Sequence, residues 1–293
     1  MQCFREAAPL RAFIESARQA GRRVGFVPTM GNLHEGHYAL IAVARRHADT
    51  IVASVFVNPT QFGANEDFAR YPRTPEQDQR GLAEHGCDAL FRPAVEEIYP
   101  SGIATSVRIH VPGISDVLEG AIRPGHFDGV ATVVGKLFVR VQPHVAVFGR
   151  KDYQQLLVVR RLVEEMGFPI EIIGTATQRE SNGLAMSSRN QYLQPAQRER
   201  AAAIHATLQW IRSTVPARGV KLADIERQAR EHLLGSGLDV DYVAIRRATD
   251  LAEPKDDSRV GLMALIAARI GGIRLIDNLD LDQDLVPARP GSH

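Results

Sequence analysis

The sequence predicts an α/β fold, in which a doubly wound, Rossmann-like parallel sheet is followed by a smaller α+β domain. Continuous apolar runs rich in β-branched residues, such as 50–57, alternate with helical patterns. A run of this kind suits a parallel strand that helices cover on both faces. Near residue 177 the alternation ends, and two helical patterns precede three strand patterns. We therefore expect an N-terminal domain over 1–176, a smaller C-terminal domain or lid over 177–285, and a flexible tail over 286–293.

The individual elements follow from local patterns. Short apolar runs predict strands of the first domain at residues 24–27, 50–57, 87–91, 145–148 and 169–174. Helical patterns of that domain lie at residues 9–20, 38–45, 75–84, 130–141 and 149–165. In the second domain, helices are expected at 195–214 and 221–234, and strands at 240–245, 260–268 and 273–276. Gly271-Gly272 is a turn signal between the last two strands.

Composition excludes several classes of protein. The chain has 293 residues, of which 44% are hydrophobic and 24% charged, as in ordinary globular proteins. A net charge of +1 gives no basis for bulk binding to nucleic acid or a membrane surface, so an anion site must be local. Cys3 and Cys87 form no Cys-x-x-Cys pair, and the N-terminus has no apolar signal segment. We expect a cytoplasmic protein with no nucleic-acid or membrane partner.

The most informative stretch is 28–37, where an apolar run passes through a glycine-bearing turn into a helix. The turn places His34 and His37 three residues apart, on one face of the helix start. Unpaired backbone N–H groups and the positive end of the helix dipole lie at the same place. Gly31 and Gly36 let a ligand approach the backbone. The turn therefore predicts a site for a nucleotide phosphate.

Three other interpretations compete with this one. Either histidine could simply cap or pack against the helix end. A zinc site is possible in principle, but His-x-x-His has no third ligand nearby and is not the His-Glu-x-x-His spacing. A dinucleotide-binding turn would need Gly-x-Gly-x-x-Gly, which is absent from the sequence. Phosphate binding remains the favoured interpretation.

Three polar clusters follow strands of the predicted parallel sheet. They are His34 with His37, Asn58 with Gln61, and Lys151 with Asp152 and Gln155. Any one of them could be a surface loop. Because the carboxyl ends of parallel strands meet at one edge of a sheet, we expect the three clusters to lie together around a ligand.

A second candidate phosphate-binding turn, Met186-Ser187-Ser188-Arg189, lies within 183–190. Two hydroxyl groups followed by a guanidinium suit phosphate oxygens, because arginine offers a planar fork of donors. Taken alone this turn is a weak signal, and a solvated turn would explain it equally well. Combined with the histidine turn, it favours nucleotide binding.

Together, these residues make the chain similar to the pantoate–β-alanine ligase (pantothenate synthetase) family, part of a wider nucleotidyltransferase group with a histidine signature. The segments that resemble this family are, in order, 28–37, 56–63, 71–74, 123–127, 148–155 and 183–190. They span nearly the whole folded chain, which makes the combination highly specific. The sequence departs from the family at Tyr38, where an aliphatic residue is more usual, and at Gln178, where an apolar residue beside adenosine is expected.

The resemblance implies ATP-dependent condensation of pantoate with β-alanine, giving pantothenate, AMP and pyrophosphate through a pantoyl adenylate. It implies His37 as a proton donor supported by His34, with Lys151 and Arg189 as the other catalytic residues. The residues implied in ATP binding are Met30, Gly31, His34, His37, Gly149, Lys151, Asp152, Gln178, Met186, Ser187, Ser188 and Arg189. A homodimer is also implied.

For pantoate, the resemblance points to a pocket of neutral groups, formed by Gln61, Gln155, Asn58 and Met30. Neutral amides orient a carboxylate and leave it reactive, whereas an arginine would quench the nucleophile. Met30, Phe56 and Phe62 could contact the gem-dimethyl group, although plain core packing explains them equally well.

Two further expectations concern the triphosphate and the exclusion of water. Mg²⁺ would neutralise the triphosphate, with Asp78 as the candidate on the metal side. The segment 123–127 is expected to be a loop that closes over the acyl adenylate.

Two rival functions can be separated by particular residues. A nucleotidyltransferase acting on a phosphorylated acceptor should present cationic groups where this chain has Gln61 and Gln155. A non-catalytic nucleotide-binding protein would be expected to lack His37, Lys151 or Arg189, and all three are present.

Overall fold

The computed structural model describes residues 1–63, 68–216, 219–255 and 258–282, so the predicted tail lies outside the described residues. The chain divides into two compact units, Met1–Tyr192 and Leu193–His293. Within the described ranges, no helix combines the length and apolar character needed to cross a membrane.

The first unit contains a six-stranded sheet in which every pair of neighbouring strands is parallel. Its strands are β1 (Gln2–Phe4), β2 (Val24–Thr29), β3 (Thr50–Val55), β4 (Ala89–Phe91), β5 (Val145–Gly149) and β6 (Glu171–Thr175). They lie side by side in the order β1-β4-β3-β2-β5-β6. This arrangement confirms the predicted doubly wound parallel sheet.

Helices connect these strands and bury the interior ones. The helices of this unit are α1 (Ala7–Gln19), α2 (Glu35–His47), α3 (Pro75–Glu84), α4 (Val95–Ile98), α5 (Glu119–Ile122), α6 (His126–Val141) and α7 (Tyr153–Glu165). Phe26 and Val27 point to opposite faces of β2, and both are fully buried. Burial on both faces is the physical reason that the interior strands appear in the sequence as continuous apolar runs.

Strand β1 was not predicted, because three residues of mixed polarity carry no period that a sequence pattern could detect. It lies at one edge of the sheet, where Cys3 pairs in parallel with Leu90 of β4.

The described residues of the second unit form a three-stranded antiparallel sheet and three helices. Its elements are α8 (Pro195–Ala201), α9 (Ala203–Thr214), α10 (Leu222–Gly235), β7 (Asp239–Arg247), β8 (Leu262–Ile270) and β9 (Ile273–Asp280). Gly271 and Gly272 both have positive φ and form the predicted two-residue hairpin turn. The single helix predicted at 195–214 is interrupted at Ala202, whose N–H bonds to the carbonyl three residues back.

The division between the units falls later in the chain than the sequence suggested. Residues 177–192, which include the Met-Ser-Ser-Arg turn, group with the first unit. Two long-range contacts explain why: the Ser188 hydroxyl donates to the Asn32 carbonyl, and the Tyr192 hydroxyl donates to the Arg70 carbonyl.

Candidate active site

The candidate site lies at the carboxyl edge of the parallel sheet, at its switch point. Strand β2 lies between β3 and β5, so the loops that follow these three strands leave the sheet side by side. Thr29 at the end of β2 is in register with Val55 at the end of β3. Ligands of open α/β sheets bind where the strand order reverses, which here is the crevice between β2 and β5.

The histidine turn forms the beginning of α2, with His34 as its N-cap residue. The His34 Nδ1 accepts a hydrogen bond from the Gly36 N–H at 3.1 Å, and the His37 Nδ1 accepts from the His34 N–H at 3.3 Å. The ring centroids are 4.2 Å apart. Because each Nδ1 is an acceptor, each neutral ring carries its proton on Nε2. Both imidazoles therefore hold an N–H donor, on the side away from the helix backbone.

Burial keeps both imidazoles neutral. Desolvation, with a smaller effect from the nearby Lys151 ammonium, lowers the pKa of His34 to about 4. Desolvation, followed by the influence of His34, lowers the pKa of His37 to about 3. At pH 7 the turn therefore offers neutral N–H donors rather than imidazolium cations.

Asp78, on the neighbouring helix α3, holds this turn through hydrogen bonds. One of its carboxylate oxygens accepts from the Asn32 N–H at 3.0 Å, and the other accepts from the Leu33 N–H at 2.8 Å. The Thr74 hydroxyl donates to the second oxygen at 3.0 Å. Asn32 has a φ of +50°, an uncommon conformation that these hydrogen bonds help to hold.

These contacts give Asp78 a structural role in the turn, and its expected place on the metal side stays a prediction. The side chain is 2% exposed, and both of its oxygens are engaged by donors of the turn. Among the described residues, no group of three or more histidine, cysteine, aspartate or glutamate side chains could hold a metal ion. We therefore interpret Asp78 as a residue that positions the histidine turn.

The loop after β5 brings a cation towards the histidines. The Lys151 ammonium lies 3.5 Å from the Asp152 carboxylate. Gly149 ends β5 with an ordinary φ of −77°, and a methyl group added there would meet no atom within 4 Å. Open space beside this backbone agrees with its predicted approach to nucleotide. Gln155 lies in the first turn of α7.

The Met-Ser-Ser-Arg turn reaches the histidine turn through Ser188, whose hydroxyl donates to the Asn32 carbonyl at 3.1 Å. The Ser187 hydroxyl accepts from the Arg189 N–H at 3.3 Å. A short hairpin precedes the turn, in which the Met186 N–H donates to the Gln178 carbonyl at 2.9 Å. The structure thus brings both predicted phosphate-binding turns together.

Asn58 and Gln61 lie in the loop after β3 and contact each other. The Asn58 amide donates to the Gln61 side-chain oxygen at 3.2 Å. The Gln61 amide nitrogen lies 2.8 Å from the Met30 sulfur, which connects this loop to the histidine turn. The residues proposed for pantoate from the first two loops therefore form one cluster.

Residues 123–125 of the segment 123–127 form a turn, and its closure over the adenylate stays a prediction. Residues 126 and 127 begin α6, and Phe127 is buried. Arg123 and His126 contact the Gln61 main-chain carbonyl at 3.3 and 2.7 Å respectively. Pro and Gly in this segment lie just before the start of α6. The contacts of Arg123 and His126 with the Gln61 carbonyl hold the Gln61 loop in place.

Sequence reasoning missed Tyr99, which lies behind the Asn58 loop. Its hydroxyl donates to the Asn58 side-chain oxygen at 2.7 Å. Tyr99 follows a helix of only four residues, and no motif or period singles it out. Only the folded chain brings it to the site.

The fold and this arrangement define a class: an α/β protein with two converging candidate phosphate-binding turns at the switch point of its sheet. Comparison with known proteins resolves the class further. The family model for pantoate-beta-alanine ligase matches residues 2–280. The chain therefore belongs to the pantoate-beta-alanine ligase family.

Individual relatives are similar over nearly their whole length. The chain is 55% identical to the pantothenate synthetase of Stenotrophomonas maltophilia (strain R551-3), over 96% of this chain and 99% of that protein. It is 57% identical to the pantothenate synthetase of Xylella fastidiosa (strain M12), over 92% of this chain and 96% of that protein.

Solved structures agree with these relatives. A pantothenate synthetase from Thermus thermophilus superposes with a TM-score of 0.88 at 47% identity, covering 96% of this chain and 99% of that one. A pantoate-beta-alanine ligase from Francisella tularensis, complexed with beta-gamma ATP and beta-alanine, gives a TM-score of 0.80 at 33% identity, covering 97% and 99%.

Proposed function

We propose that this protein condenses pantoate with β-alanine at the expense of ATP, giving pantothenate, AMP and pyrophosphate. The observation that carries the proposal is membership of the pantoate-beta-alanine ligase family over residues 2–280. The resemblance of the motifs, noted above, gives the two-step route through a pantoyl adenylate. ATP is a substrate of this reaction.

In the first step, a pantoate carboxylate oxygen attacks the α-phosphorus of ATP, and the bond to pyrophosphate breaks. Negative charge accumulates on the phosphoryl oxygens, so donors fixed in advance stabilise the transition state. The Nε2–H groups of His34 and His37 supply two such donors. Lys151 and Arg189, with the hydroxyl groups of the Met-Ser-Ser-Arg turn, hold the departing pyrophosphate.

In the second step, the β-alanine amine attacks the acyl carbon of the adenylate, and AMP departs. The family resemblance implies that His37 transfers a proton. Its pKa of about 3 means that it is not protonated at neutral pH in the free protein. Before ATP binds, the ring donates a hydrogen bond and holds no extra proton. The charge of a bound triphosphate raises the pKa of a neighbouring imidazole, so any proton transfer through His37 follows nucleotide binding.

Magnesium enters this proposal only as the counter-ion of the ATP phosphates. A magnesium ion commonly keeps several of its waters and binds substrate phosphates with few protein ligands. The described side chains do not converge on a metal site of their own. We therefore assign the ion to the nucleotide phosphates, and a single metal-side carboxylate at Asp78 stays a prediction.

The pantoate subsite is formed by Gln61, Asn58, Met30 and Gln155. Gln61 offers N–H donors to oxygen atoms of pantoate, and Asn58 holds the Gln61 amide. These groups are uncharged, so they orient the carboxylate without forming an ion pair that would weaken it as a nucleophile. Gln155 contributes a second amide from the first turn of α7.

AMP release tests the proposal directly. The purified protein is supplied with ATP, Mg²⁺, pantoate and β-alanine together, and then with each acid omitted. We expect AMP in multiple turnovers only when both acids are present. AMP formation that ignores pantoate would overturn the substrate assignment, and the next assay would follow pyrophosphate release with phosphorylated acceptors.

Family resemblance also supports a homodimer in the cytoplasm. Analytical ultracentrifugation tests the first point, with an expected mass of twice the 32.2 kDa chain. Fractionation of the source cells tests the second.

A further inference from the structure

Tyr99 is buried directly behind the Asn58–Gln61 loop. It is 2% exposed, and its hydroxyl lies 2.7 Å from the Asn58 side-chain oxygen and 3.1 Å from the Thr60 hydroxyl. Burial raises the pKa of the Tyr99 phenol above its ordinary value, so the group stays protonated and can donate. On the other side of the ring, the Lys136 ammonium lies 5.0 Å from the centroid and donates to the Ile98 carbonyl.

The hydrogen bonds around Asn58 allow only one orientation of its amide. The side-chain oxygen accepts from the Thr60 N–H at 3.3 Å, and the nitrogen donates to the Gly129 carbonyl at 3.0 Å. A backbone N–H can only donate and a backbone carbonyl can only accept. Rotating the amide by half a turn would therefore place its NH₂ group against the Thr60 N–H and its oxygen against the Gly129 carbonyl. The Tyr99 hydroxyl reinforces the observed orientation.

The orientation of Asn58 determines that of Gln61. Because the Asn58 nitrogen donates to the Gln61 side-chain oxygen, that oxygen is turned towards the protein. The Gln61 nitrogen lies on the other side, against the Met30 sulfur at 2.8 Å. A thioether is a weak acceptor, so the stronger acceptors of a substrate can readily take its place.

We propose that Tyr99 is a positioning residue: through Asn58, it fixes the Gln61 amide so that pantoate meets N–H donors and not a carbonyl oxygen. This inference rests on the proposed function, since it assumes that Gln61 lies in the pantoate subsite. Its consequence is a preference for substrate groups that accept hydrogen bonds, such as a carboxylate.

Tyr99→Phe tests this role, because it removes the hydroxyl and keeps the ring. Without that donor, Asn58 is held by the Thr60 and Gly129 groups alone, so the Asn58 and Gln61 amides are held less firmly. We expect the KM for pantoate to rise about tenfold, the effect of losing one net hydrogen bond of about 1.4 kcal/mol. The KM values for ATP and β-alanine should stay within about twofold of the wild type, since the change acts on pantoate binding alone. All three constants come from the AMP-release assay.

Thr132→Val is the matched control for loss of a buried hydroxyl. Thr132 is 3% exposed on α6, and its hydroxyl accepts from the Ile109 N–H at 2.8 Å. We expect a lower melting temperature with an unchanged KM for pantoate. If the control and Tyr99→Phe raise all three KM values alike, general destabilisation explains the effect and the inference is overturned.

A second variant keeps the test decisive should Tyr99→Phe fold poorly. Thr60→Val removes one of the three donors to the Asn58 side-chain oxygen and preserves the side-chain shape. It should raise the KM for pantoate selectively, by less than Tyr99→Phe does. An unchanged KM for pantoate in both variants overturns the inference, while a wild-type protein that does not use pantoate overturns the proposed function instead.

Discussion

At the scale of single residues, the histidine turn supplies hydrogen-bond donors from two uncharged imidazole rings. His34 and His37 give up their Nδ1 atoms to backbone N–H groups and keep Nε2–H available. A neutral donor binds a phosphate less strongly than a cation would, but its placement needs no bound counter-ion in the free protein. Lys151 supplies the positive charge from the adjacent loop and helps to keep His34 neutral.

The depressed histidine pKa values predict a specific loss of stability in acid. The pKa falls from 6.5 in the unfolded chain to about 4 for His34 and about 3 for His37, so the unfolded state binds more protons as the pH falls. The stabilising contribution is complete above pH 6.5 and is lost towards pH 3. Each histidine can contribute a slope of up to about 1.4 kcal/mol per pH unit to the free energy of unfolding.

Urea unfolding at a series of pH values between 7 and 4 measures this slope. We expect His37→Gln to have a shallower slope than the wild type over that range. His47→Gln is the control, because it makes the same substitution at an exposed histidine of the same helix. Equal slopes for the wild type and His37→Gln would show that His37 is not held neutral by the fold.

Asp78 has two possible roles that one substitution separates. Asp78→Asn preserves the shape of the side chain but turns an NH₂ group towards one of the donors from Asn32 and Leu33. We expect the free energy of unfolding to fall by about 1–3 kcal/mol, the cost of a buried unsatisfied group. The kcat/KM for ATP should fall about tenfold or more, since the turn is displaced.

A magnesium titration distinguishes positioning from metal binding in this variant. If Asp78 positions the turn, added Mg²⁺ leaves the defect unchanged; restoration of activity by excess Mg²⁺ would instead make it a metal ligand. Glu76→Gln is the control, because it removes the same charge from an exposed position of the same helix turn. Its kcat/KM should match that of the wild type.

How far the sequence predicts the site depends on how local the contacts are. His34 and His37 lie in one turn, so their spacing and the nearby glycines revealed them. The partners of Asp78 in the histidine turn are 45 and 46 residues away, and Tyr99 is 41 residues from Asn58. No local pattern encodes such pairs, which is why the sequence did not reveal the contacts of Asp78 with the histidine turn and overlooked Tyr99.

At the scale of elements, the strands determine where the site lies, and the loops that follow them supply its functional side chains. The interior strands β2, β3, β4 and β5 were predictable because burial on both faces demands apolar residues. Strand β1 and the short helices α4 and α5 were not, since three or four residues of mixed polarity give no measurable period.

Gly149, at the end of β5, gives this arrangement a direct test. Alanine fits there without strain, because φ is −77° and the added methyl group meets no protein atom within 4 Å. If the nucleotide approaches this backbone, that methyl group occupies its space. We expect Gly149→Ala to fold with an unchanged melting temperature and to raise the KM for ATP about tenfold, a loss of about 1.4 kcal/mol.

Gly235→Ala is the matched control for Gly149→Ala. Gly235 ends α10 in the second unit and likewise has no atom within 4 Å of an added methyl group. Its KM for ATP should stay at the wild-type value. An unchanged KM for ATP in Gly149→Ala would remove the close approach of nucleotide to β5 from the proposal.

At the scale of the whole molecule, every residue assigned to the candidate site lies in the first compact unit, which ends at Tyr192. The sequence placed the Met-Ser-Ser-Arg turn in the second domain, because the alternation of strands and helices ends before it. The hydrogen bond from Ser188 to Asn32 spans 156 residues and returns that turn to the first unit. A net charge of +1 leaves anion recognition to these local groups.

Hydrogen exchange of the full chain with α,β-methylene ATP tests this assignment, because the analogue binds without releasing pyrophosphate. We expect slower exchange in peptides covering 30–37, 149–155 and 183–190, since ligand binding protects the loops that it orders. Strands β7, β8 and β9 serve as the internal reference and should exchange at the rate of the free protein. Protection of the first two loops without 183–190 would remove the Met-Ser-Ser-Arg turn from the nucleotide site. Protection within the three reference strands would show that the second unit responds to nucleotide as well.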